Sequence, residues 1–146
     1  MDLDTALSWA AERTDGILIT IRADGRPQSS DISYYIDPAG IGGGSAAFDI
    51  SITDGRAKTS NMRRDNRVVL HLTDRPSWSY LAFDGTVTLS DVATAPDDEV
   101  CDALVAYYEA VAGKAHPDWD EYRAAMVSEG RLLVRFTPTS VVGQIR

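Results

Sequence analysis

Arg56, Lys58, Arg63, Arg64 and Arg67 gather five of the chain's 14 basic residues into one short window, and Lys58 is one of only two lysines. In a chain of formal net charge -8, such a concentration of cations points to an anionic partner. The window begins where a strand-like segment, ISIT, gives way to a helix-like one. A helix N-terminus presents unpaired N–H groups and a partial positive charge, and Arg56 and Lys58 fall within its first turn, beside the hydroxyls of Ser51, Thr53 and Thr59. This corner suits a phosphate monoester, because arginine forks onto two oxygens while lysine supplies a point charge. The competing account is a solvated helix whose cations pair with Asp54, Asp65 and Asp74, and composition alone leaves both accounts open.

The elements that must hold this corner follow from hydrophobic periodicity. Leu3, Ala6, Leu7 and Ala10 recur at helical spacing with Trp9 nearby, which predicts an amphipathic helix ending before Asp15-Gly16 and able to plug one end of a barrel. Gly16–Arg22 runs as a strand, Asp24-Gly25 turns it, and Arg26–Ile36 returns with Ile32, Tyr34 and Ile36 on one face. After the turn at Asp37–Gly40, a strand is predicted over Ile41–Ile52, weakened at its start by Gly42, Gly43 and Gly44. A short helix covers Asp54–Asp65 with Thr53 or Asp54 as its cap, and strands follow at Val68–Leu72 and Ser79–Leu89. Acidic residues at Pro96–Glu99 open a helix whose buried stripe is Val100, Leu104, Tyr107, Tyr108 and Val111. A second helix spans about Asp118–Ser128 with Trp119, Tyr122 and Met126 inward, and Leu132–Phe136 is a final strand that Ser140–Gly143 extends beyond Pro138. About six strands, mostly joined by hairpins, favour an antiparallel barrel with appended helices over a parallel sheet.

Length and composition narrow the classes. A chain of 146 residues with 44% hydrophobic content fits one domain, spanning 1–146, with a real core. The acidic balance opposes binding to DNA or RNA. With no basic and apolar leader and no membrane-length apolar run, the expected location is cytoplasmic, with no membrane partner. Cys101, the only cysteine, permits no internal disulfide and fits a small buried hydrophobe. One Cys and two histidines, His71 and His116, without ligand spacing, supply no metal site, and no nucleophile-elbow motif supports a hydrolase.

The phrases IRADGRPQSSDISYYID, ISITDGRAKTSNMRRD and SYLAFDGTVTL resemble those of the split β-barrel superfamily that includes pyridoxamine 5'-phosphate oxidases. The resemblance is closest to the actinobacterial branch that uses the deazaflavin coenzyme F420. In that branch a strand, an Arg-Ala-Lys-Thr segment and Asn-x-Arg-Arg-Asp recur in this order. It covers nearly the whole chain, including DDEVCDALVAYYEAVAG and HPDWDEYRAAMV.

The resemblance implies a six-stranded split β-barrel, paired as a homodimer with cofactor grooves at the subunit interface. By the matching positions it implies Arg56, Lys58 and Thr59 at the phosphate, Ala57 among the cofactor-binding residues, and Ser51 and Ile52 along the ring or ribityl chain. Gln28 and Asp31 would face the ring, and Trp78 and Tyr80 would come from the partner chain as an aromatic wall suited to a flat heterocycle. The implied activity is hydride transfer between the deazaflavin and an unidentified conjugated small molecule, without a dedicated catalytic side chain. An FMN-dependent enzyme of the pyridoxamine 5'-phosphate oxidase type and a non-catalytic F420 carrier are the alternatives. The chain departs from the family pattern at Asn66, where Pro is common, and at Asp31, where Asn is common. A carboxylate at position 31 repels an anionic reduced ring unless it points away.

Overall fold

In the computed structural model, which describes residues 1–146, the alternating segments form seven antiparallel strands accompanied by four α-helices. In chain order these are α1 (Leu3–Ala10), β1 (Asp15–Ile21), β2 (Pro27–Ser33), β3 (Tyr35–Ile36), β4 (Phe48–Thr53), α2 (Ala57–Arg64), β5 (Arg67–Asp74), β6 (Ser79–Leu89), α3 (Glu99–Ala112), α4 (Trp119–Glu129) and β7 (Arg131–Gln144). The sheet order is β2-β1-β5-β6-β7-β4-β3. β2 and β3 are therefore opposite edges of one sheet, yet only Tyr34 separates them in sequence. The sheet must curl until its edges nearly meet, which makes a half-barrel and turns one face of every strand inward.

Two expectations are corrected. The single strand predicted over Arg26–Ile36 is two strands, giving seven in place of six, because Tyr34 steps from one sheet edge to the other. Its buried hydroxyl donates to the Ala10 carbonyl at 2.8 Å and its N–H to the Thr14 carbonyl at 2.7 Å. The strand predicted from Ile41 begins only at Phe48, since a 3-10 turn at Pro38–Gly40 and the glycine run after it coil the chain back. Elsewhere β7 runs unbroken through Pro138, which pairs with Gly85 at a bulge, where a missing N–H costs the ladder least.

The barrel interior is filled by the inward residues, with Leu18, Ile50, Leu70, Phe83 and Phe136 fully buried. Phe48 packs edge-on against Tyr34 and Phe83 at centroid distances of 5.0 and 5.1 Å, an arrangement favoured by the ring quadrupoles. α1 closes one end with Ala6, Leu7 and Ala10. α3 and α4 carry a smaller core of their own around Cys101, Leu104, Tyr122 and Met126. Burial raises the Cys101 thiol to about 11, which keeps it protonated and unreactive. No helix is long and apolar enough to cross a membrane.

Candidate functional site

The corner between β4 and α2 is built by backbone geometry. The Asp54 N–H donates to the Gly130 carbonyl at 2.8 Å, and Gly55 then takes φ +78°, a conformation that a side chain would strain. The helix starts later than expected, at Ala57, and its cap position is Arg56 in place of Thr53 or Asp54. Arg56 makes no side-chain cap hydrogen bond, so the first-turn N–H groups of Ala57, Lys58 and Thr59 lack a side-chain acceptor.

The cation cluster divides in two. Arg63 pairs with Asp54 at 2.6 Å, and Arg67 pairs with Asp65 at 2.7 Å, holding that carboxyl down at about 2. Arg64 donates to the Ile21 carbonyl and to Asn61 Oδ1 at 2.8 and 3.0 Å. Arg63 and Arg67 thus fit the ion-pairing account, and Arg64 is held by uncharged acceptors. Arg56 and Lys58 form no ion pair. Burial first, and then the neighbouring Arg56 and Arg131, hold the Lys58 ammonium below the ordinary lysine value.

Arg56, Lys58 and Arg131 line one end of a groove of about 600 Å³, within the range of small-ligand sites. Its opposite wall comes from α3 and α4, chiefly Tyr107, Tyr108, Val111 and Met126. The Tyr107 hydroxyl donates to the Ser33 carbonyl at 2.9 Å, tying α3 across to β2. Burial raises both Tyr107 and Tyr122, the latter to about 12, so these phenols stay neutral. Helix α3 thus forms a wall of the groove as well as bracing the barrel. Sequence reasoning missed Arg131 and the tyrosine wall as groove residues. Arg131 becomes visible only through register, which sets it opposite Thr53.

The structure brings Arg56, Lys58, Ser51 and Ile52 together at the groove and sets Asp31 on its rim. Ile52 is 1% exposed with its side chain in the core, so it offers the groove only backbone. Ala57 stands exposed at the first helical position. Thr59 is fully buried and its hydroxyl donates to the Thr53 carbonyl at 2.8 Å, so it braces the corner from beneath. Gln28 lies outside the groove, its Oε1 accepting from Asn61 Nδ2 at 2.9 Å beneath α2.

Trp78 and Tyr80 also lie outside the groove of their own chain. Trp78 occupies the β5–β6 turn at φ +57°, 63% exposed, with the Arg75 guanidinium 4.7 Å from its ring centroid. Tyr80 lies on the outer face of the sheet, stacked on His71. On that face one row of cross-strand neighbours runs Asp31, Ile17, His71, Ala82, Val142. Asp31 therefore stands where the groove and the open sheet face meet.

A family model described as pyridoxamine 5'-phosphate oxidase matches residues 4–144. Among solved structures, a conserved hypothetical protein from Mycobacterium tuberculosis superimposes with TM-score 0.71 at 19% identity, over 98% of this chain and 84% of that one. A protein named F420 reductase gives TM-score 0.60 at 21% identity, covering 92% and 94% of the two chains. A haem storage protein from Vibrio cholerae gives 0.62 at 15% identity, covering 97% and 94%. At such identities the likeness is one of fold, which hosts different ligands among these proteins.

Proposed function

The chain belongs to the pyridoxamine 5'-phosphate oxidase family, and we propose that it is an oxidoreductase whose cofactor is coenzyme F420, held by its phosphate at the β4–α2 corner. The observation that carries this reading is that Arg56 and Lys58, alone among the five clustered cations, have neither a carboxylate nor a hydrogen-bond acceptor, and flank an uncapped helix terminus. Arg56, Lys58 and the first-turn amides are the donors that a phosphate requires. Ser51 and Thr53 offer hydroxyls to a polyol chain, while α3 forms the facing wall of the groove.

When bound, the deazaflavin supplies hydride transfer at its central ring carbon to a conjugated small-molecule acceptor. The protein's part is to orient ring and acceptor and to limit water. FMN also carries a phosphate at the end of a ribityl chain, so the corner suits either cofactor. The deazaflavin is preferred on the resemblance of the Arg-Ala-Lys-Thr and Asn-x-Arg-Arg-Asp segments, with the F420 reductase neighbour as an analogy of fold.

The reading includes a homodimer packed through the open sheet face. Ile17, Tyr80 and Val142 are 36, 42 and 64% exposed there, and such an apolar patch favours association. Trp78 of the partner subunit and Tyr80 of the partner subunit then complete an aromatic wall at the rim marked by Asp31.

The test is a fluorescence titration of the purified chain with F420, beside a spectrum of whatever cofactor is released on denaturation. Saturable F420 binding, with oxidation of bound reduced F420 by at least one conjugated acceptor, is expected. A yellow protein releasing FMN transfers the reading to the FMN enzyme. Tight F420 binding with no turnover on an acceptor panel makes the chain a carrier, and no binding of either cofactor ends the reading.

A further inference from the structure

We propose that Arg131 is a third ligand of the cofactor phosphate, reaching the anion from the side of β7 opposite the helix terminus that carries Arg56 and Lys58. The proposal rests on the phosphate-corner reading and assigns that site a residue which the corner motif does not contain.

Arg131 is fixed before any ligand arrives. It opens β7 directly opposite Thr53 of β4, and its carbonyl accepts from the Ala93 N–H at 2.8 Å. Its Cα is therefore locked to the strand end from which the corner turns. From there the side chain lines the same groove as Arg56 and Lys58.

The side chain is under-satisfied where it stands. Its Nε is buried without a hydrogen-bond partner, the one such side-chain atom in the chain. Buried donors are rarely left without acceptors, because desolvation is then uncompensated. Its only carboxylate neighbour, Glu129, lies 3.7 Å from Nη2, beyond hydrogen-bond distance and half exposed. Arg135, by contrast, is matched by Asp49, with Nε 3.0 Å from one carboxylate oxygen.

Three cations thus converge at one end of a groove whose single carboxylate, Asp31, stands on the rim. Without an anion they repel one another, consistent with the depressed Lys58 ammonium. A phosphate presents several acceptor oxygens, enough to take the helix amides and Arg56 on one side and the Arg131 fork on the other.

The experiment measures a difference between ligands. Dissociation constants are taken for FMN against riboflavin, which differ by the phosphate alone, and for F420 against its ribityl deazaflavin core, which lacks the phosphate and the acidic tail beyond it, with the wild-type protein, Arg131→Gln, Arg131→Lys and Lys58→Ala. Thermal unfolding confirms that each variant is folded. Arg131→Gln is expected to lower the advantage of the phosphorylated ligand roughly 10- to 100-fold, the scale of a charge-assisted hydrogen bond, while affinity for the phosphate-free ligand stays unchanged.

Arg131→Lys, which keeps the charge and loses the fork, should fall between the two and replaces Arg131→Gln if that variant does not fold. An undiminished phosphate advantage in the Arg131 variants, or equal loss for both members of a ligand pair, overturns the proposal. If Lys58→Ala still erodes the phosphate advantage, the corner reading survives that result. If Lys58→Ala also leaves it intact, the corner reading falls too.

Discussion

Asn61 Nδ2 donates to Gln28 Oε1 at 2.9 Å, and the same amide donates to the buried Thr20 hydroxyl at 3.1 Å. This pair fastens the underside of α2 to the β1–β2 hairpin. It also explains why Gln28 is absent from the groove: its side chain holds the helix whose N-terminus faces the groove.

Asn61→Ala removes these two donors and the acceptor used by Arg64, leaving the Thr20 hydroxyl buried with one partner fewer. The expected loss is about 2–3 kcal/mol, typical of breaking a buried hydrogen-bond network. Urea denaturation measures it. A loss within roughly 0.5 kcal/mol, the ordinary range for surface substitutions, would show that the network adds little to stability.

Lys58→Ala is expected to weaken cofactor binding by about 1.5–3 kcal/mol with the fold intact, since the residue has no carboxylate to abandon. Arg63→Ala serves as the contrast, because Arg63 spends its charge on Asp54 and that exposed pair has little to give binding. Isothermal titration of both variants separates them. Equal effects from the two would mean that the cluster acts only through its general charge.

This division was only half legible in the sequence. The chemistry of the ISITDGRAKTS corner could be read because strand, turn and helix start are local signals, and the cations lie within a few residues of one another. Which cations were already paired was not readable, since Asp54 reaches Arg63 over the first turns of the helix only when Gly55 bends the chain as it does. Arg131 was hidden for a stronger reason. Its neighbours at the corner are more than 70 positions away in sequence, joined by the β4–β7 register alone. The strand boundaries failed at Tyr34 for a related reason, because alternation continues through it while the backbone changes sheet edge.

Tyr107→Phe tests the α3 wall. The variant keeps the ring and loses only the hydroxyl that bonds the Ser33 carbonyl, so stability should fall by about 0.5–1.5 kcal/mol, the worth of one hydrogen bond. Hydrogen exchange should quicken selectively in Glu99–Ala112 as the helix loses its tie to β2. Uniform exchange changes across the barrel would instead mark a global effect.

The depressed Lys58 ammonium sets a pH dependence. In the free protein its pKa lies below 10.5, because burial and the two arginines disfavour the charged form. A bound phosphate favours that form and raises the pKa, so binding is coupled to proton uptake. Affinity should therefore be full at pH values below the free pKa, decline as pH rises through it, and level off above the bound value. Titrations on the alkaline side, with Lys58→Arg as the control that abolishes the decline, give the answer. A wild-type decline retained in Lys58→Arg assigns the effect to another group.

Val142 lies across from Ala82 on the open sheet face and is 64% exposed, so a carboxylate there is solvated in a single chain but buried if two faces meet. Val142→Asp should leave the monomer's stability nearly unchanged and shift sedimentation equilibrium from dimer to monomer, since an unpaired charge in an apolar interface costs several kcal/mol, roughly. Because Trp78 of the partner subunit and Tyr80 of the partner subunit are the proposed ring wall, cofactor affinity should drop with dissociation. The phosphate-dependent share of that affinity, set within one chain by Arg56 and Lys58, should persist. A monomeric variant that binds the full cofactor as tightly as wild type would remove the aromatic wall from the site while leaving the phosphate corner in place.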